Sequence, residues 1–405
     1  MRAHRLVFVN RFFYPDHSAT SQILTDIAVS QARERAVLVV TSRLRYEGQG
    51  ERLPASDNVQ GVDVIRVWST SFGRARLALR ALDYLTFYLS ATWALLRQVH
   101  SGDVVVLKTD PPMLSVAYTG LVRLRGAKVV NWLQDLFPEV GQVLNVSILS
   151  GRLGRWLVGL RNRSLRRAEV NVCVGETMRL RLTEQAVKNT TVIHNWADGE
   201  AIRPLAPQDN PLRDQWKLND CFVVGYSGNL GRAHDLEPIL EAAEKLKHRS
   251  NLRFLFIGGG AGKPWLEEQV AQRGLTTFLF KPYQPRSDLR YSLTLPDAHL
   301  VSLRPEMEGY VVPSKFYGVA AAGRATIFLG DRQGEIARMV EAADCGAVVD
   351  PHDGAALAEL IDTWLQQDDL VRRLGANARG AYDNNYSMQV SCDAWERLIR
   401  GLICP

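Results

Sequence analysis

Residues 304–323 read Arg-Pro-Glu-Met-Glu-Gly-Tyr-Val-Val-Pro-Ser-Lys-Phe-Tyr-Gly-Val-Ala-Ala-Ala-Gly, and this stretch decides the fold. It follows a buried-strand pattern, Ala298 to Leu303. Two carboxylates come first, Glu306 and Glu308, then Gly309, then a helix start. Ser314 after Pro313 is a good N-cap, and Gly323 a good stop. The helix between them is short, apolar and small on one side, which predicts burial. A buried helix start beside a glycine offers free backbone N–H groups, which suit a phosphate. An acid just ahead of that anion site could hold sugar hydroxyls. The same residues also fit a plain strand, loop and core helix with two solvated glutamates, so the rest of the chain arbitrates.

Outward from this stretch one grammar repeats. Upstream, Phe222 to Tyr226 predicts a strand, residues 227–234 a Gly-rich loop, and Leu236 to Lys247 an amphipathic helix. Leu252 to Ile257 predicts a buried strand running into Gly258-Gly-Gly260. Strand and helix patterns alternate downstream, ending in helical runs near 354–383 and 388–402. The N-terminal half follows the same rule. Strands are predicted at Leu6–Asn10, Ala36–Thr41, Val62–Val67, Asp103–Lys108, Lys128–Leu133, Glu169–Val174 and Thr191–Asn195. Helices are predicted from about Gln22, over residues 74–100, and over residues 151–168; the polar stretch 43–60 reads as a mobile loop. Pro204 and Pro207 mark a linker at 196–210. The expected class is α/β, with two Rossmann-like domains facing across a cleft: 1–200, 201–385, and a last helix, 386–405, returning to the first. Ligands of such sheets bind at the carboxyl ends of the strands, where most of the polar clusters fall.

Composition bounds the function. The chain has 405 residues, 46% hydrophobic and 23% charged, enough for two globular cores. Five scattered cysteines without CxxC spacing speak against disulfides and a metal site. The N-terminus lacks a signal-peptide pattern, and no apolar run reaches the ~18–20 residues of a membrane span. The net charge of +6 is carried mostly by arginine and fits phosphate-bearing substrates or an anionic surface. Nucleic acid is disfavoured because the arginines are not organised with stacking aromatics on a small module. The loop after the first strand lacks GxGxxG, which argues against a dinucleotide oxidoreductase.

Glu308-Gly-Tyr-Val-Val-Pro-Ser-Lys-Phe-Tyr-Gly-Val-Ala-Ala-Ala-Gly323 resembles the donor-binding signature of the retaining family 4 glycosyltransferases. Tyr226-Ser-Gly-Asn-Leu-Gly-Arg232 resembles the loop that opens their C-terminal domain, and Val192-Ile-His-Asn-Trp-Ala-Asp198 their turn before the interdomain linker. Tyr14-Pro-Asp-His-Ser-Ala-Thr-Ser21 and Gln134-Asp-Leu-Phe-Pro-Glu139 resemble the N-domain loops of members that build O-antigen, capsule and exopolysaccharide, the fucosamine-transferase-like subgroup among them. The resemblance runs from about Leu6 to Ile399. It implies the GT-B architecture, with an N-terminal acceptor domain and a C-terminal nucleotide-sugar domain. It also implies metal-independent transfer of a hexose-type sugar with retention, no cofactor, and a polyprenyl-diphosphate-linked saccharide as acceptor. A cytoplasmic protein, peripheral on the inner face of the plasma membrane, is the expectation.

Carried over by position, Glu308 matches the first of the family's paired glutamates, which holds donor-sugar hydroxyls. Arg232 matches the basic residue that neutralises the diphosphate. The backbone at Gly309 and Tyr310, with Ser314 and Lys315, matches the phosphate cradle, and Gly228 faces the donor. Asp135 falls where a polar residue stands near the anomeric carbon, though a loop-turn carboxylate reads as well. Gly259 and Tyr283 are candidates for the nucleotide base, with a core tyrosine the plainer reading of Tyr283. His17, Ser18 and Asp110 are candidates for the acceptor. Three features depart from the family: the second glutamate aligns with Gly318, the spacing from Glu308 is two residues longer than the common form, and the lysine that often follows the Arg232 position is absent, since Ala233-His234-Asp235-Leu236 stand there.

Gly318 inside a helix costs about 1 kcal/mol against Ala. It points to close approach of a ligand or backbone, or to packing. Along 151–168 the arginines alternate with Leu, Trp and Val. Arg155, Trp156, Arg163, Arg166 and Arg167 are therefore candidates for contact with an anionic membrane surface, the alternative being a helix with a solvated basic face. Two rival functions stay open: a nucleotide-sugar epimerase on the same architecture, and a non-catalytic nucleotide-sugar-binding scaffold.

Overall fold

The structure, a computed structural model, describes residues 4–16, 18–45, 52–73 and 77–403. The chain divides into two compact units, Met1–His194 with Ser391–Pro405, and Asn195–Val390.

The first unit holds β1 (Leu6–Val9), β2 (Val37–Ser42), β3 (Ser56–Val59), β4 (Val62–Val67), β5 (Val104–Leu107), β6 (Lys128–Leu133), β7 (Val170–Cys173) and β8 (Thr190–Val192). They form one sheet in the order β3-β4-β2-β1-β5-β6-β7-β8, parallel except for the β3–β4 pair. The central strands are Val/Leu runs buried on both faces, as a helix-covered parallel sheet requires. Strand β3 falls inside the expected loop 43–60. Ser56, Asp57 and Asn58 are exposed, so no apolar alternation betrays it. It turns onto β4 through Gln60 and Gly61, both at positive φ, which matches a tight hairpin turn.

Six helices cover this sheet: α1 (Ala19–Ala32), α2 (Leu77–Gln98), α3 (Leu114–Leu124), α4 (Glu139–Val143), α5 (Gly151–Arg166) and α6 (Glu176–Glu184). Helices α2, α3 and α5 lie side by side. Tyr118 of α3 donates to the Tyr88 carbonyl of α2 at 2.8 Å, and Ser164 of α5 bonds Ser115 of α3 at 2.9 Å.

The second unit holds β9 (Phe222–Ser227), β10 (Leu252–Ile257), β11 (Phe278–Lys281), β12 (Ala298–Ser302), β13 (Ala325–Leu329) and β14 (Gly346–Val349). These form an all-parallel sheet in the order β11-β10-β9-β12-β13-β14. Its helices are α7 (Pro211–Gln215), α8 (Glu237–Lys245), α9 (Lys263–Gln272), α10 (Leu289–Thr294), α11 (Lys315–Ala321), α12 (Glu335–Ala342), α13 (Gly354–Leu365) and α14 (Asp368–Ala381). The helical run read at 354–383 is thus two helices, followed by a π-helical turn at Tyr382–Tyr386.

The last helix, α15 (Met388–Ile403), belongs to the first unit from Ser391 onward. Trp395 packs against Trp132 with ring centroids 4.7 Å apart, and Glu396 pairs with Arg35. The units divide after His194 and Val390, where the sequence places boundaries at 200 and 385. The linker explains the first offset, because its backbone is held by its own unit. Tyr382 donates to the Ala197 carbonyl at 2.7 Å and Arg379 to the Ile202 carbonyl at 3.1 Å. Two parallel α/β sheets, each with its own core, are the fold class that the alternating pattern predicts.

Candidate functional site

Each sheet has one point where strand order reverses, and such crevices are where open α/β sheets bind ligands. In the second unit the reversal lies between β9 and β12. The loop after β9 carries Gly228, Arg232 and His234; the loop after β12 carries Glu308 and Lys315. Backbone and side-chain bonds tie these loops together. Arg304 donates its N–H to the Ala233 carbonyl at 2.9 Å, and His234 Nδ1 donates to the Ser302 carbonyl at 2.8 Å.

Lys315 is the residue on which the two loops converge. Its Nζ lies 3.1 Å from His234 Nε2 and 4.9 Å from the centre of the Tyr226 ring. A Cβ placed on Gly228, which sits at φ +127, would lie 2.9 Å from Lys315 Cε. A side chain there would press on the lysine stem. The His234 tautomer follows from its partners: a carbonyl can only accept, so Nδ1 carries the proton and Nε2 accepts from the ammonium. Burial, then the adjacent Lys315 charge, pull the His234 pKa down to about 4. Desolvation lowers that of Lys315 to about 8. The site therefore holds one desolvated cation oriented by a neutral imidazole. Arg232 is exposed in the same loop, two residues from His234.

The two glutamates separate. Glu306 is exposed beside Arg304, at 3.5 Å. Glu308 is buried, and its Oε1 accepts the Glu335 N–H at 2.9 Å, at the start of α12. A Cβ on Gly334 would lie 2.6 Å from Glu308 Oε2, so this carboxylate is seated by a glycine and a helix N-terminus. That start is where the helix dipole favours negative charge.

The cradle residues are placed as follows. Gly309, at φ +78, turns the chain, and the Tyr310 N–H is already donated to the Met307 carbonyl at 3.0 Å. Ser314 precedes α11 in helical conformation, and its side chain makes no capping bond, unlike the expected N-cap. The first bonds of α11 run from Phe316 to Pro313 and from Tyr317 to Ser314, so the Ser314 and Lys315 amides lie ahead of them. Gly323 ends the helix at φ +63, as read from the sequence. A Cβ at Gly318 would touch only Leu293, at 3.5 Å. Close approach of another protein backbone does not explain that glycine.

Gly258 and Gly260 are both at positive φ, and a Cβ on Gly258 would collide with the Gly228 carbonyl at 2.3 Å. The turn after β10 thus passes directly beside the turn after β9. Tyr283 is 54% exposed and lies against Gly259, where a Cβ would meet its ring at 3.3 Å. It is not a core tyrosine.

In the first unit the reversal lies between β1 and β5, and the Arg11 N–H joins their loops by donating to the Asp110 carbonyl at 2.7 Å. Ser18 starts α1 on one side, and Asp110 follows β5 on the other. His17 lies outside the described residues. Asp135 follows β6; its Oδ1 is inaccessible and has no hydrogen-bond partner, and burial raises its pKa.

Lys108, at the end of β5, is a residue that sequence reasoning did not single out. It is buried, its Nζ donates to the Thr20 carbonyl at 2.9 Å, and it lies 3.8 Å from the Trp132 ring centre. Desolvation lowers its pKa to about 7 against the opposing pull of Asp110 and Asp135. A lysine closing the strand Val-Val-Val-Leu was the available signal. Lys108, Asn131, Asp135 and Arg161 line a cavity of about 20 Å³.

On α5 the side chains of Arg155, Trp156, Arg163 and Arg166 are exposed, as is Arg167 just after it. Arg161 is not part of that face. It is buried and pairs with buried Glu139 at 2.5 Å. Glu139 opens α4, and its carboxylate makes this cross-helix pair.

Comparison with known proteins agrees with this geometry. Residues 209–381 match a family model described as glycosyl transferases group 1. WbjE of Pseudomonas aeruginosa, recorded as a probable glycosyltransferase, is 28% identical over 335 residues, covering 81% of this chain and 82% of its own. The proposed colanic acid biosynthesis glycosyl transferase WcaI of Escherichia coli strain K12 is 29% identical over 246 residues, 58% of this chain and 60% of its own. Among solved structures, sucrose-phosphate synthase from Thermosynechococcus elongatus superposes with a TM-score of 0.77 at 15% identity, covering 98% of this chain and 99% of that one. HepE of Anabaena in complex with UDP-glucose gives 0.73 at 15% identity, over 98% and 99%. These likenesses show a GT-B fold. With the match spanning the β9 and β12 loops, and WbjE similar over four-fifths of the length, the chain is similar to the group 1 glycosyltransferases.

Proposed function

We propose that this glycosyltransferase moves a hexose-type sugar, with retention of configuration, from a nucleotide-sugar to a lipid-linked saccharide in the assembly of a bacterial surface polysaccharide. One observation carries the reading: Lys315, His234 and Gly228 converge at the strand-order reversal of the second unit, in loops that also carry Arg232 and Glu308. Departure of a nucleoside diphosphate requires fixed positive charge where the leaving group gains negative charge. Lys315 supplies it, with the Ser314 and Lys315 amides at the start of α11 and Arg232, in the loop of His234, as further donors. Glu308, held by the start of α12, is the carboxylate for donor-sugar hydroxyls. Gly259 and Tyr283 flank the base. No metal is required in this reading, and among the described residues no three His, Cys, Asp or Glu side chains gather as a metal site.

Ser18 and Asp110, at the reversal of the first sheet, and Asp135, one strand further after β6, are the candidates for the acceptor side. The names of WbjE and WcaI support a glycosyl acceptor on a polysaccharide pathway. No helix among the described residues is long and apolar enough to cross a membrane. A peripheral position on the inner face of the plasma membrane fits the exposed arginines of α5.

A thermal-shift screen against UDP-, GDP-, dTDP- and ADP-sugars, followed by incubation with polyprenyl-diphosphate saccharides, tests the reading. Transfer with the anomeric configuration kept, read by NMR, is expected. A donor sugar altered without acceptor would replace the reading with an epimerase, and binding without transfer would replace it with a scaffold.

A further inference from the structure

Helix α2 presents a face that nothing among the described residues covers. Leu82, Leu85, Leu89, Trp93 and Leu96 are all exposed, Leu89 at 64% and Trp93 at 58%. Their spacing of three and four residues puts them on one side of the helix. The opposite side, with Phe87, Ala91, Ala94 and Leu95, is buried in the core. Single exposed leucines are ordinary on a protein surface, but five large apolar side chains in one row are not.

Along the segment that carries this row the exposed charges are basic, while Asp63 of the adjoining β4 is an exposed acid. Residues 72–168 contain fourteen arginines and lysines and five acids, Asp83, Asp103, Asp110, Asp135 and Glu139. None of those five acids is exposed. The next, Glu169, is paired with Arg123 at 3.1 Å. Arg97 lies over the Trp93 ring at 4.0 Å. Across α3, where Leu124 is exposed, α5 turns Arg152, Arg155, Trp156 and Arg163 outward.

We propose that the outer face of the α2–α3–α5 layer is a seat for an anionic lipid bilayer. In it the α2 row enters the interface and the α5 arginines meet the headgroups. The inference rests on the membrane-linked acceptor of the preceding reading and moves the main point of contact from α5 to α2. A row of Leu and Trp bordered by cations is what an interfacial helix offers to anionic lipid. Charge complementarity between the outward arginines of α5 and anionic headgroups favours lipid over a second copy of the chain at this face.

Sedimentation of the full chain with phosphatidylglycerol-containing vesicles, against pure phosphatidylcholine vesicles, reads this without any sugar substrate. Wild type is expected to bind the anionic vesicles and to release as salt rises. The triple variant Leu85→Ser, Leu89→Ser, Trp93→Ser is expected to lose about tenfold or more in vesicle affinity, because the apolar row is what inserts. Arg155→Glu with Arg163→Glu should weaken binding less and flatten its salt dependence. Donor-induced thermal shifts report that both variants are folded. Vesicle binding by the triple variant equal to wild type would overturn the proposal. So would a wild-type dimer that the triple variant converts to monomer, since a second copy would then be the occupant. Vesicle binding without sugar transfer would keep the seat and remove the enzyme reading. Transfer to a detergent-solubilised acceptor without vesicle binding would do the reverse.

Discussion

The two units solve the same geometric problem with different chemistry. Each is a parallel sheet with a single strand-order reversal, and in each the two loops at that reversal are joined by backbone hydrogen bonds. In the second unit the buried charge is Lys315, oriented by a neutral imidazole and set beside glycines that leave room for a ligand. In the first, Lys108 is spent on a backbone carbonyl and an aromatic ring, with carboxylates close by. A cation with no carboxylate partner suits an anion that arrives from outside. A cation already held by a carbonyl and a ring, with Asp110 and Asp135 opposing its desolvation, is less available to one. The proposed division, diphosphate at one sheet and a hydroxyl-bearing acceptor at the other, rests on that difference.

The largest expected effect tests that division. Lys315→Met should lower transfer by roughly a hundredfold to a thousandfold, the scale for losing one preorganised group at a developing charge. It should weaken donor binding with it, measured by calorimetry. Lys108→Met should leave donor affinity unchanged while transfer falls; equal loss of donor affinity in both variants would erase the contrast. Donor affinity of the wild type should also decline as pH rises through about 8, where free Lys315 discharges.

Acid should separate the units next. His234 and His299, both in the second unit, have folded pKa values near 4 against an ordinary 6.5. A depressed folded value means the unfolded chain takes the proton first. Stability is therefore full above 6.5 and is lost as pH falls toward 4, by roughly 3 kcal/mol for each histidine. Hydrogen exchange followed by mass spectrometry should show β9–β14 opening before β1–β8 across that window. Simultaneous opening would count against it.

A smaller effect probes how Lys315 is aimed. His234→Ala removes the acceptor for its ammonium and should cost about tenfold in donor affinity, the scale of one hydrogen bond to a charged group. His234→Gln, which can still accept from Lys315, should recover part of it. The smallest concerns Gly318. With only Leu293 in reach, Gly318→Ala should stabilise the protein by about 1 kcal/mol in denaturant titrations, through helix propensity alone. Destabilisation would show that the glycine answers a contact absent from the folded chain.

Much of this protein is written along its chain. The alternation of Val/Leu strands with amphipathic helices specifies two parallel sheets, because strands buried on both faces must be apolar throughout and their crossovers must be helical. The Glu308–Gly323 motif places a binding loop at a strand end, because Gly309, Pro313 and Gly323 act through local backbone geometry. Side-chain partnership across the sheet is not local, and only the tertiary structure decides it. That His234 serves Lys315, that Glu308 is held by α12, and that Lys108 is buried among acids depend on which loops adjoin after the strand order is set. The apolar row of α2 escaped for the same reason. A helix rich in Leu, Phe and Trp on several sides reads as core, and the side left exposed is settled only when the sheet takes the other.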